Sequence, residues 1–205
     1  MTKTYNSFAG QSVARLAALS DGVFSIAMTL LVLDLRAPAV EAIHSDAELW
    51  RALLGLAPRL IMYMVTFLTL GLFWVGQQTQ LNHLMRTSRE LSWIHIAFLF
   101  WVSITPFSTN LAAQFTAYRV ALLAYWVNIV FLGVTLYWSW TCATRTGLVT
   151  EDVPAHVSDG IKRRIVSAQS LYAFAAALSM MDTRLSLAAF VLVQLNYALG
   201  LIRRS

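Results

Sequence analysis

Charge is scarce in this chain. Asp, Glu, Lys and Arg make up 12% of its 205 residues and hydrophobic residues 58%, whereas soluble domains carry about 25% charge. With a mean hydropathy of +0.62, the composition excludes a soluble domain and points to an integral membrane protein with little mass outside the bilayer. Cysteine occurs once, at Cys142. That excludes an intramolecular disulfide, a two-cysteine metal site and a thiol-pair redox centre, and leaves an intersubunit bridge open. The histidines stand singly at 44, 83, 95 and 156, without metal-ligand spacing, so no metal site is expected. HExxH, a phosphate-cradling glycine loop and a nucleophile motif are all missing. Neither an enzyme nor a cofactor is expected.

What is present is long apolar sequence. Six segments read as helices, at about 13–36, 53–81, 91–114, 119–144, 161–181 and 185–203, each near the ~20 residues that cross a bilayer. The expected fold is an all-α integral membrane protein, with residues 1–205 forming one six-helix unit without internal repeat. The first loop, 37–51, is acidic; the fourth, 145–164, is the longest polar stretch; and Met181-Asp182-Thr183-Arg184 is tight enough to make the last two helices a hairpin. Ala37-Pro38-Ala39 imitates a signal-peptidase site, but the preceding run is too long for a signal peptide and contains Asp21 and Asp34, so it reads as a retained helix.

Basic residues set the orientation. Lys3, Arg15, Arg86, Arg89, Arg145, Lys162, Arg163, Arg164, Arg203 and Arg204 fall on one side, against Arg36, Arg51, Arg59, Arg119 and Arg184 on the other. The positive-inside rule places both termini in the cytoplasm and the protein in the cell membrane. The +5 net charge is thus a topogenic rim with no folded domain to present it, which argues against nucleic acid and leaves contact with anionic lipid open.

The first segment carries the chemistry. Asp21, beside Ser20 and Gly22, interrupts the run Leu16–Leu35, and a carboxylate at that depth requires a polar neighbour, a cavity or an ion path. At 3.6 residues per turn, Ile26, Leu30 and Leu33 share one narrow stripe, extended by Leu19 and Gly22; Thr29 lies about 60° away and Asp21 roughly 140°. One face is a polar anchor and another purely aliphatic. Periodicity alone allows the aliphatic stripe to face lipid, core or a pore.

Arg15-x-x-x-Leu19-Ser20-Asp21 followed by Gly-Val-Phe-Ser-Ile-Ala-Met-Thr resembles the first-helix signature of the transmembrane protein 175 potassium channels, whose pattern is Arg, three residues, then Phe-Ser-Asp. Leu19 replaces the family's Phe. Trp74 on the second helix and Thr105-Pro106-Phe107-Ser108-Thr109 on the third are similar to further family elements, whereas Gln77-Gln78 stands where many relatives carry a His pair. The resemblance implies a homotetramer in which the first helices line a central pore with no TVGYG filter. It implies a constriction at Ile26, continued by Leu30 and Leu33, and a pore-facing Thr29 that gives weak-to-moderate preference for K+ over Na+. K+ and other monovalent cations are the implied permeant ions.

On that reading Arg15, Ser20 and Asp21 belong to a structural polar network, with Trp74, His83, His95 and Asn110 as candidate partners, and a ring of Asp34 side chains concentrates cations at the outer mouth. Two rivals stay open: a proton- or cation-coupled transporter that titrates Asp21, and a non-conducting membrane adaptor whose stripe packs against a partner. Elsewhere, Pro106 is expected to kink the third helix. Asn128, Gln169, Gln194 and Asn196 read as interhelical glue, and Tyr125, Trp126, Phe131, Tyr137, Trp138 and Trp140 as lipid anchors.

Overall fold

In the computed structural model, residues 12–151 and 153–199 are described; Lys3, Arg203 and Arg204 lie outside them. The described chain is all-helical. Helix α1 spans Val13–Leu30 and tightens into a 3-10 turn, Leu31–Asp34. After a short 3-10 turn at Val40–Ala42 come α2 (Asp46–Gly55), α3 (Ala57–Asn82), α4 (Arg89–Gln114), α5 (Arg119–Arg145), α6 (Ala155–Ala177) and α7 (Thr183–Leu199). Among the described residues, Val13–Leu33, α3, α4 and α5 are long and apolar enough to cross a membrane by length and composition. The fifth and sixth expected segments fold as α6 and α7.

Two expected loops are partly helical. The first contains α2, which starts at the capping-box pattern Ser45-Asp46-Ala47-Glu48. Ser45 Oγ accepts from Glu48 N at 3.3 Å, and Glu48 Oε2 accepts from His44 N at 2.7 Å, so two otherwise orphaned amides are satisfied. Leu56 separates α2 from α3, whose first turn contains Pro58, a position where the missing N–H costs nothing. The fourth loop shortens to 146–154, because α6 begins at Ala155. Val157, Ile161 and Ile165 repeat every four residues on its inner face while Asp159 and Arg163 stay exposed, so the charges there decorate an amphipathic turn. At the end of α5, Gly147 takes a φ of 64° and Leu148 N donates to Ala143 O at 3.0 Å, a Schellman closure.

The loops at this end of the bundle are tied together. Met85 N donates to Leu148 O at 3.0 Å and Thr150 N to His83 O at 2.9 Å. At the other end, a 3-10 turn at Leu178–Met180 leads into α7; Arg184 N donates to Asp182 Oδ1 at 2.6 Å and Ser186 Oγ to Ala175 O at 2.8 Å, closing the α6–α7 hairpin. Helix α4 runs without interruption past Pro106 to Gln114, where Thr105 and Thr109 hydroxyls bond Trp101 O and Thr105 O.

The interior joins aromatic packing to buried polar cross-links. Phe98 on α4 packs 5.9 Å from Phe24 on α1 and 6.3 Å from Phe73 on α3, centroid to centroid. Thr109 Oγ1 donates to Thr66 Oγ1 at 3.0 Å, and Thr66 Oγ1 to Tyr125 OH at 3.3 Å. Asn128 Nδ2 donates to Thr105 Oγ1 at 2.8 Å, and Gln169 Nε2 to Ile129 O at 3.1 Å. Gln194 Nε2 donates to Tyr172 OH at 2.5 Å and also to Thr69 Oγ1. These bonds cross between helices, where hydrocarbon offers no competing partner. Two of the expected lipid anchors are corrected here: Tyr125 and Trp140 are fully buried. Tyr125 belongs to the hydroxyl chain, and Trp140 Nε1 donates to Ser158 Oγ at 3.2 Å. Phe131 stacks on Trp101 at 4.1 Å and stays exposed, as expected of an anchor position.

Candidate functional site

Helix α1 starts where Ser12 Oγ accepts from Arg15 N at 3.3 Å. Its apolar content would suit any spanning helix; its position comes from what each face meets. Leu16, Ser20, Phe24, Ala27 and Leu31 are buried, at spacings of four, four, three and four, and this stripe packs on α4 and α3. Ser20 is the polar member. Its Oγ donates to Leu16 O at 2.9 Å and accepts from Gln77 Nε2 at 2.7 Å, so the hydroxyl is fully engaged inside the bundle.

Asp21 sits one residue round the helix, at the edge of the α1–α3 contact. Its Oδ1 accepts from Trp74 Nε1 at 2.7 Å and from Gln78 Nε2 at 2.9 Å. Residues 74 and 78 are one helical turn apart on α3 and meet the carboxylate together. Gln77, the next position, serves Ser20. A single turn of α3 therefore grips two consecutive residues of α1 with three hydrogen bonds, two of them charge-assisted.

The other candidate partners lie apart from Asp21. His83 caps the end of α3, with its ring 6.3 Å edge-on from Trp140. His95 is buried in α4, its Nδ1 3.4 Å from Ser139 Oγ. Asn110 Oδ1 accepts from Gln114 Nε2 at 2.5 Å. Arg15 is exposed, and no Arg15–Asp21 ion pair occurs among the described residues. Sequence reasoning passed over Gln77 and Gln78 because they replace a familiar His pair. The signal was present in the four-residue spacing from Trp74 to Gln78.

The stripe opposite the bundle is uncovered. Leu19 is 49% exposed, Ile26 61%, Leu30 44% and Leu33 67%. Gly22 adds no side chain to this face, and a Cβ there would meet nothing within 4 Å. Thr29 is also exposed; its hydroxyl donates to Ser25 O and Ile26 O, both at 2.9 Å. The proton is committed to the helix backbone, which leaves oxygen lone pairs facing outward. Asp34 closes the 3-10 turn beyond Leu33; its side chain lies outside the described residues. Among the described residues, no three His, Cys, Asp or Glu side chains gather in a metal-holding cluster.

Comparison with known proteins places these features in a lineage. The family model described as endosomal/lysosomal potassium channel TMEM175 matches residues 15–106, the stretch that holds α1, α3 and α4 up to Pro106. A potassium channel of Streptomyces collinus is 31% identical over 188 residues, covering 89% of this chain and 90% of the relative. A potassium channel of Chamaesiphon minutus is 29% identical over 189 residues, covering 90% and 93%. The crystal structure of a lysosomal potassium-selective channel TMEM175 homolog from Chamaesiphon minutus superposes with a TM-score of 0.80 at 27% identity, covering 92% of this chain and 97% of that one.

Proposed function

Since this chain belongs to the TMEM175 family, we propose that it is a potassium-permeable cation channel of the cell membrane, in which α1 helices from four identical subunits line a central pore. The observation that carries this reading is the uncovered aliphatic stripe Leu19–Ile26–Leu30–Leu33 on a helix whose neighbouring face is fixed to α3. Six spans then cross the bilayer, α6 and α7 completing the set, and both termini are cytoplasmic.

Four copies of Ile26 around one axis make an apolar ring. An ion entering it sheds water and receives no replacement ligands, so the ring gates by dewetting. Leu30 and Leu33 extend the constriction outward, and Asp34 rims its outer mouth. Thr29 borders the ring with outward lone pairs, which provide partial coordination and a modest preference for K+ over Na+. Opening requires rotation or dilation of α1. The three-bond grip of Trp74, Gln77 and Gln78 holds the helix orientation about which such movement occurs, so Ser20 and Asp21 act as anchor and not as permeation ligands.

Potassium flux into liposomes containing only the purified protein tests this. Ile26→Asn is expected to raise flux or alter its selectivity, and Thr29→Ala to change mainly the K+-to-Na+ ratio. Flux unchanged by both substitutions would remove α1 from the conduction path. Flux that is steeply pH-dependent and abolished by Asp21→Asn would favour the coupled transporter. No flux from correctly inserted wild type or Ile26→Asn protein would favour the adaptor.

A further inference from the structure

On the far side of α3 from its grip on Asp21, the bundle holds a groove of about 300 Å³, within the ~300–1,000 Å³ range of ligand sites. It lies between the second half of α3, Leu136 on α5, the face of α6 from Val157 to Tyr172 and Tyr197 on α7, and no α1 residue lines it. Most of the wall is aliphatic or aromatic, including Leu72, Phe73, Val75, Ile161 and Ile165. Gly76 and Gly160 leave it wide: a Cβ on Gly160 would meet nothing within 4 Å, and one on Gly76 would meet Leu136 Cδ2 at 3.5 Å.

Among the described residues, Arg164 is the one charged residue in the lining. No carboxylate pairs with it among the described residues, and Asp159, on the same helix, is not part of the wall. Lys162 and Arg163 precede it in the chain. The groove thus joins an apolar slot to a guanidinium that meets no carboxylate among the described residues, near the basic end of a membrane-spanning bundle.

We propose that this groove is a binding site for an anionic glycerophospholipid, with one acyl chain in the slot and the phosphate held by Arg164. An empty apolar slot forfeits dispersion contacts along its whole wall, and the surrounding bilayer supplies hydrocarbon to fill it. Charge selects the headgroup. Arginine pairs with phosphate oxygens in a planar fork, its stem can run along the apolar wall while the guanidinium reaches the headgroup level, and basic pockets between spanning helices are suited to anionic headgroups. The turn of α3 that holds Asp21 and Ser20 shares its helix segment with Val75, Gly76 and Gln80 of the groove, so a bound lipid braces α3 from behind.

The test reads lipid instead of flux, and so stands apart from the channel reading. Native mass spectrometry of the purified full chain, given phosphatidylglycerol or phosphatidylcholine of equal chain length, measures retention of each. Wild type is expected to prefer phosphatidylglycerol. Arg164→Gln should reduce that preference about fivefold, while Arg163→Gln, outside the lining, leaves most of it. Gly160→Leu should fill the slot and reduce retention of both lipids. Equal retention of the two lipids by wild type would overturn the proposal, as would equal effects of Arg163→Gln and Arg164→Gln. Undiminished lipid on folded Gly160→Leu protein would overturn it too. If Gly160→Leu does not fold, the contrast between the two arginine variants still decides.

Discussion

Among the described residues, Asp21 receives two hydrogen bonds, both at Oδ1, from Trp74 and Gln78. That geometry separates charge from shape. Asp21→Asn retains a carbonyl oxygen in the same place and loses only the charge assistance; Asp21→Ala leaves the indole and amide N–H groups without an acceptor. We expect Asp21→Ala to lower stability by about 1.5–3 kcal/mol, the usual range for a hydrogen bond to a charged group, and Asp21→Asn by less than half as much. Thermal unfolding in mild detergent measures the difference. Equal losses would mean that the charge itself, and not the paired donors, holds the residue. That Asp21 needs partners was readable from a carboxylate in a 20-residue apolar run. Which partners it has was not: His95, equally polar and equally intramembrane, meets Ser139 instead, because α4 turns that residue towards α5.

At the scale of an element, each helix is defined by the faces it divides. Helix α3 serves α1 on one side and the apolar groove on the other. Helices α5 and α6 approach closely where Gly133 lies against the Gln169 side chain; a Cβ at Gly133 would overlap it. Gln169 cannot move freely, since its Nε2 donates to Ile129 O at 3.1 Å. Gly133→Leu is therefore expected to break that bond and separate the two helices, costing on the order of 1–3 kcal/mol as an overpacked site. A lowered unfolding midpoint that Gln169→Ala partly restores would confirm the contact, and an unchanged midpoint would refute it. The spans α3, α4 and α5 were legible because their apolar runs are long. Helix α2 and the first turns of α6 were not, because a capping box and a four-residue apolar spacing are weak signals beside clustered charge.

For the whole molecule, an exposed stripe of Leu19, Ile26, Leu30 and Leu33 needs either lipid or other copies of itself. A closed ring of four subunits would give the stripe one shared axis. Light scattering in mild detergent is expected to give a protein mass of four times the 22.9 kDa chain. A monomer that persists across several detergents and protein concentrations would leave the stripe to lipid and sink the central-pore geometry.

The sequence by itself determined an all-helical chain built for a membrane, a first helix with distinct polar and aliphatic faces, and its likeness to a channel family. Those are properties of composition and of spacing along one strand of residues, where 3.6 per turn suffices. Tertiary structure alone decided that Gln77 and Gln78 supply the anchor, that Tyr125 and Trp140 are interior rather than lipid-facing, and that Arg164 borders an apolar groove. Each depends on how one helix is rotated against its neighbours, and packing, not periodicity, sets that angle.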